Sequence, residues 1–171
     1  SIIGYLASFS VAIFFGTAEG LQPMFGQCYG AKNERDLKYY FRAGLLINFI
    51  GSVLIYILLF YVGGPVCKMF GADKATLDYT VLSMPKYAWG FSIMALNTII
   101  SAYLYSTKRS KQAIIMNILR SFVFNLAVII LMPMVFGAEA VWHTFGIYEL
   151  LVLAAAVMLL KSSEKNGVVF K

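Results

Sequence analysis

Apolar residues in this chain come in runs of membrane-spanning length, and that feature removes most alternatives at once. About 20 mostly apolar residues in helical form cross a hydrocarbon core about 30 Å thick. Five such runs can be read, roughly Ser1–Tyr29, Tyr40–Val62, Tyr79–Ser106, Lys111–Phe136 and Ala140–Leu160. Hydrophobic residues make up 60% of the 171 and charged ones only 13%. A soluble core of this size could not hide so much apolar surface. The fold class is therefore all-α: a polytopic membrane helix bundle of about five transmembrane helices over residues 1–161, followed by a polar tail at 162–171. The chain opens at Ser1 inside an apolar run with no recognisable signal peptide, so it reads as part of a longer polypeptide.

Charge between the runs sets the orientation. Lys32, Arg35, Lys38 and Arg42 follow the first run, Lys108, Arg109 and Lys111 lie between the third and fourth, and Lys161, Lys165 and Lys171 follow the fifth. Five antiparallel spans place these three groups on one side, leaving Lys68, Lys74 and Lys86 toward the other. Positive charge marks the cytoplasmic side. The expectation is a multi-pass protein of the cell (cytoplasmic) membrane with a cytoplasmic C-terminus. The lipid bilayer is its first partner. Nucleic acid is not one, because the basic residues sit between apolar runs rather than on one face. Cys28 and Cys67 fall on opposite sides, too far apart for a disulfide.

The first run closes on Gly16-Thr17-Ala18-Glu19-Gly20-Leu21-Gln22-Pro23, continuing through Gly26 to Gly30. An ionised carboxylate at mid-membrane costs about 2.5–3.5 kcal/mol on insertion scales, so Glu19 needs a job or a partner. Pro23 cannot donate a helical hydrogen bond to the carbonyl four residues back, which belongs to Glu19. A carboxylate and a freed carbonyl at one position suit a hard cation. Interrupted helices near mid-depth build such sites in transporters. Glu19, Gln22, Gly26 and Gly30 share a helix face. The pairs Gly16/Gly20 and Gly26/Gly30 permit close helix approach, so the same stripe also reads as a packing seam around a kink at Pro23.

Counted from the cytoplasmic ends at about 1.5 Å per residue, Glu19, Asn97, Arg120 and Glu149 all lie near mid-depth. Spans four and five are joined by a short loop, so Arg120 and Glu149 are expected to form a buried ion pair. Glu19 is then the acid without an obvious basic partner, a proton carrier or a cation ligand. Asn117, Ser121 and Asn125 make a second polar stripe, read equally well as interhelical hydrogen bonding or as a substrate path. The candidate cation and substrate residues are Glu19, Gln22, Asn97 and Asn117. Met24, Met94, Met116, Phe91 and Phe124 are candidates for an adaptable apolar lining, or simply for helix packing or lipid contact. Trp89, Trp142, Tyr61 and Tyr79 suit an outer aromatic belt. No clustered His or Cys offers a zinc site, and His143 stands alone beside the outer loop. No phosphate-binding loop, nucleophile elbow or zinc-protease motif occurs, so neither catalytic residues nor an organic cofactor are expected.

The stretch from Gly16 to Pro23, with Tyr29-Gly30-Ala31-Lys32 after it, resembles the multidrug and toxic compound extrusion (MATE) family at the second helix of its C-terminal lobe. Arg120, Gly137, Val141-Trp142 and Glu149 resemble that family's closing helix pair. The resemblance implies helices eight to twelve of a twelve-helix, two-lobe transporter, whose N-terminal lobe, with helix seven, is the missing partner. It implies multidrug efflux, with small organic cations exported by antiport and sodium or protons as the coupling ion. Some branches carry an acid in the helix corresponding to span three, near Asn97, which does not titrate. Lipid-linked precursor flippases and polysaccharide exporters belong to the same superfamily, and their anionic substrates would favour more mid-depth cations than Arg120. A non-transporting membrane fragment is the remaining alternative.

Overall fold

A computed structural model describes residues 2–71 and 73–165. The described chain is helical apart from short turns. Helix α1 (Ile2–Gly30) and α2 (Glu34–Met69) are long rods; α3 (Lys74–Ala88) and α4 (Gly90–Ser106) form a third, broken rod. Helix α5 (Ser110–Ile118), a π-helical turn (Leu119–Val123) and α6 (Phe124–Phe136) make the fourth. A 3-10 turn at Ala138–His143 leads into α7 (Thr144–Lys165). Among the described residues, three continuous helical stretches are long and apolar enough to cross a membrane: Glu34–Tyr61, Ser110–Phe136 and Ala138–Ser162.

Local chemistry explains the ends. Asn33 caps α2 by accepting the Asp36 N–H at 3.2 Å and donating to the Asp36 carboxylate at 2.7 Å. Glu34 and Asp36 sit in the first turn, where carboxylates favour the helix dipole. Asp73 caps α3 by accepting the Thr76 N–H at 3.1 Å. The turns after α1 and α4 close the same way. Lys32 (φ 55°) and Lys108 (φ 58°) take the left-handed conformation. Beyond them the Asn33 and Arg109 N–H groups reach back to the carbonyls of Cys28 and Leu104, satisfying helix-end acceptors. Gly137 (φ 83°) ends α6 where a side chain would be strained.

Helix α4 is the axis of the bundle. It packs against α1, α2, α5 and α7, and it contributes to all three buried clusters. Phe91 and Met94 pack with Phe14, Leu59 and Phe145; Ile99 and Tyr103 pack with Ala18, Phe25 and Leu37; Ile100 and Leu104 pack with Met116, Val152 and Ala156. Against lipid, such contacts stabilise by close packing rather than by escape from water. The outer surface is apolar instead: Leu46, Leu54, Phe122, Ile130 and Leu131 are all more than half exposed.

Several expectations need correction. α1 runs as one helix through Pro23, so no interruption accompanies the missing N–H. The glycines at 16, 20, 26 and 30 are not a packing seam for any described helix: a Cβ at each would meet nothing within 4 Å. Close approach falls elsewhere. At Gly90 a Cβ would stand 2.9 Å from the Gly146 backbone, and at Gly146 it would strike the Trp89 ring. The third rod accordingly turns at Trp89, four residues beyond Pro85, where α4 crosses the start of α7. For Phe91, Met94 and Met116 the helix-packing alternative holds: all three are core residues. The last helix continues past Leu160 to Lys165, so only residues 166–171 of the expected tail lie outside the described residues.

Candidate functional site: a closed junction and an acidic hollow

Three helices meet at a buried polar junction, in which the Asn97 Oδ1 is left without a hydrogen-bond partner among the described residues. Glu149, on α7, is wholly buried. Arg120 approaches it from the π-helical turn, with Nε donating to Oε1 at 2.8 Å and Nη2 lying 2.7 Å from the same oxygen. Asn97, on α4, donates its amide to Oε2 at 2.8 Å and to the Glu149 backbone carbonyl at 2.9 Å. Both carboxylate oxygens are thus engaged, which is what a buried charge requires. The Arg120 guanidinium also stands 5.9 Å from the centre of the Phe15 ring on α1. The π turn helps aim it: the Phe124 N–H donates to Leu119, five residues back, so this turn holds one residue more than an α-helical turn.

Beside the junction lies a hollow of about 140 Å³ between α1, α4 and the fourth rod. Phe15, Ala18, Glu19 and Gln22 line it from α1; Thr98, Ser101, Ala102 and Tyr105 from α4; Asn117 and Arg120 from the opposite wall. Asn117 is held there by its amide, which donates to Tyr105 Oη at 2.9 Å. Among the described residues, Glu19 takes part in no ion pair. Glu149 cancels the charge of Arg120, so Glu19 leaves the hollow with one net negative charge. Its oxygen-rich wall of carboxylate, amides, hydroxyls and phenol suits a monovalent cation better than a soft metal. Among the described residues no group of three or more His, Cys, Asp or Glu could hold a metal ion.

The structure therefore gathers Glu19, Gln22, Asn117 and Arg120 around one space, and sets Asn97 apart. Asn97 is fully buried behind Arg120 and committed to Glu149, so it is a positioning group rather than part of the hollow's wall. Cys28 and Cys67 are both free.

Two polar features escaped sequence reasoning. Asn48, buried on α2, donates to the Ala95 carbonyl at 3.1 Å and lies 3.3 Å from Thr98 Oγ1, stitching α2 to α4. A lone amide inside an otherwise apolar run was the available signal. At the other end, Lys86 bonds Glu139 at 2.8 Å while the Trp142 indole donates to Tyr79 Oη at 3.2 Å, clasping α3 to the 3-10 turn.

Comparison with known proteins gives a family. The family model described as MatE matches residues 1–131, which includes α1, the hollow and Arg120. No curated protein and no solved structure matches the chain. With the family model covering most of an all-α membrane bundle, the chain belongs to the MatE family of membrane transporters.

Proposed function

We propose that this bundle is the C-terminal lobe of a secondary active multidrug exporter, exchanging small organic cations for sodium or protons across the cell membrane. The observation that carries the reading is the hollow beside the junction, where Glu19 supplies a negative charge that no described side chain pairs. A cation entering it meets Glu19 and Gln22 on one wall and Asn117 and Tyr105 on the other. At about 140 Å³ the space suits a partly hydrated ion or an ammonium head, and falls short of the several hundred Å³ that a whole drug-sized ligand occupies. The rest of the substrate then rests on the facing N-terminal lobe. The open face of α1, with Gly16, Gly20 and Pro23 clear of every described helix, is where that lobe approaches.

Coupling follows from differential binding. A site that is neutral when occupied and negative when empty favours different lobe arrangements in the two states, and alternate occupation by ion and substrate drives exchange. An anionic substrate finds little here, since the one mid-depth arginine is spent on Glu149. In the full polypeptide, efflux of a fluorescent organic cation from cells should be lost on Glu19→Gln, with membrane expression unchanged. The gradient, sodium or proton, whose collapse stops wild-type export names the coupling ion. Equal export by wild type and variant removes Glu19 from the mechanism.

A further inference from the structure

The second feature with unspent chemistry lies at the N-terminal end of α2. Arg35, Lys38, Tyr39, Arg42 and Leu46 recur at three- and four-residue spacing and so share one helix face. With Ala43 they line an open hollow of about 590 Å³. Among the described residues Arg35 and Arg42 enter no ion pair, and Lys38 has Glu34 at 3.9 Å. The other acid nearby, Asp36, is engaged by the cap residue Asn33. Arg35 also sits in the first turn of α2, where a cation opposes the positive end of the helix dipole. An anion seated among these cations would remove that repulsion.

Length says which anion. The apolar stretch Glu34–Tyr61 holds 28 residues, about 42 Å of helix against a hydrocarbon core of about 30 Å. About 20 residues suffice to cross that core, and residues 43–62 of α2 carry no charge, so the basic segment from Glu34 to Arg42 falls at the level of lipid headgroups. Below it, on the outer surface, Leu46, Ile50, Val53, Leu54 and Ile57 are exposed apolar side chains of acyl-chain height. Cations above an apolar wall match one kind of ligand, with a phosphate joined to acyl chains. Free phosphate would satisfy only the upper part.

We propose that this face of α2 is a binding site for an anionic phospholipid, with Arg35 and Arg42 holding the phosphate, Lys38 and Tyr39 flanking it, and the acyl chains lying along Leu46 and the residues below. The site is separate from the acidic hollow, which opens between α1, α4 and the fourth rod.

The test is native mass spectrometry of the full polypeptide in detergent, titrated separately with phosphatidylglycerol and phosphatidylcholine. The wild type should retain phosphatidylglycerol at least tenfold more tightly, with an excess of inorganic phosphate failing to displace it. Each basic residue near an anionic surface contributes a factor of about five, so Arg35→Gln/Arg42→Gln should weaken retention by at least about tenfold. Lys111→Gln/Lys161→Gln removes the same charge elsewhere and should leave retention within about twofold. Circular dichroism and gel filtration establish that both variants are folded; if the α2 double variant is not, the single Arg42→Gln is read instead, with about fivefold expected. Equal retention of the two lipids, equal losses in the two double variants, or displacement by phosphate would each overturn the assignment.

Discussion

Glu149 and Glu19 are carboxylates read at the same depth in the membrane, in opposite circumstances. Glu149 has both oxygens engaged by Arg120 and Asn97 and no exposure. Glu19 faces a hollow that it shares with Arg120, but the arginine is bound to Glu149 and Glu19 enters no ion pair among the described residues. Depth alone therefore does not make an acid functional. What separates them is whether the chain itself completes the coordination. Glu149 is completed from within and ties three helices together. Glu19 is left for a ligand to complete.

The contrast can be broken from the Glu149 side first. Glu149→Ala strands a largely buried guanidinium and should cost about 3–5 kcal/mol, read as a large drop in thermal midpoint in detergent. Replacing both partners, Arg120→Met with Glu149→Leu, should recover most of that loss, because no charge is then stranded. A Glu149→Ala protein as stable as wild type would end the description of the junction as structural. Asn97→Ala removes the amide that donates once to the Glu149 carboxylate and once to its backbone carbonyl, and should cost about 1–3 kcal/mol.

Packing offers a similar pairing. Gly90→Ala pushes a methyl against the Gly146 backbone and should cost about 1–3 kcal/mol by denaturant unfolding. Within this bundle Gly16→Ala meets open space and should be neutral or stabilising by up to about 1 kcal/mol, as ordinary helix propensity dictates; a cost seen only in the full polypeptide would mark the approach of the other lobe. Glu19→Gln should move stability by less than about 0.5 kcal/mol while abolishing efflux, the sharpest form of the contrast.

The smallest effect belongs to a third carboxylate, outside the membrane. Hydrogen bonds from the Thr76 side chain and then its backbone hold the Asp73 carboxyl below the usual aspartate range. Its stabilising contribution is therefore present above its ordinary value of about 3.9 and lost as pH falls through the lower folded value. Asp73→Asn keeps a good cap without the titration, so its melting curve should be flatter than wild type between about pH 5 and pH 2.

Much of this was legible in the residues. Run length gave the helical rods, and the matched depths of Arg120 and Glu149 singled out groups that the structure brings to 2.7 Å. Helical spacing put Glu19 and Gln22 on one face, and both line the hollow. What stayed hidden depended on relations between helices. Asn97 read as a cavity residue because periodicity cannot say which neighbour an amide meets. The glycines of α1 read as a seam because small-residue spacing is the same whether a helix arrives or not. The tight crossing instead uses Gly90 and Gly146, residues far apart in sequence with no motif to join them.

The π-helical turn at Leu119–Val123 has a consequence for how the fourth rod tolerates change. Each residue of an α-helix advances its azimuth by about 100°. The extra residue held in this turn offsets Ser110–Ile118 from Phe124–Phe136 by about that angle, while both segments keep their own neighbours. Removing one residue between 119 and 123 would let the rod relax into an uninterrupted α-helix. One half would then have to swivel by about a quarter turn, and the walls contributed by Asn117 and Arg120 could no longer be presented together with the present seating of α6. The rod is thus phase-locked by a single surplus residue, and its length there is constrained more tightly than its composition.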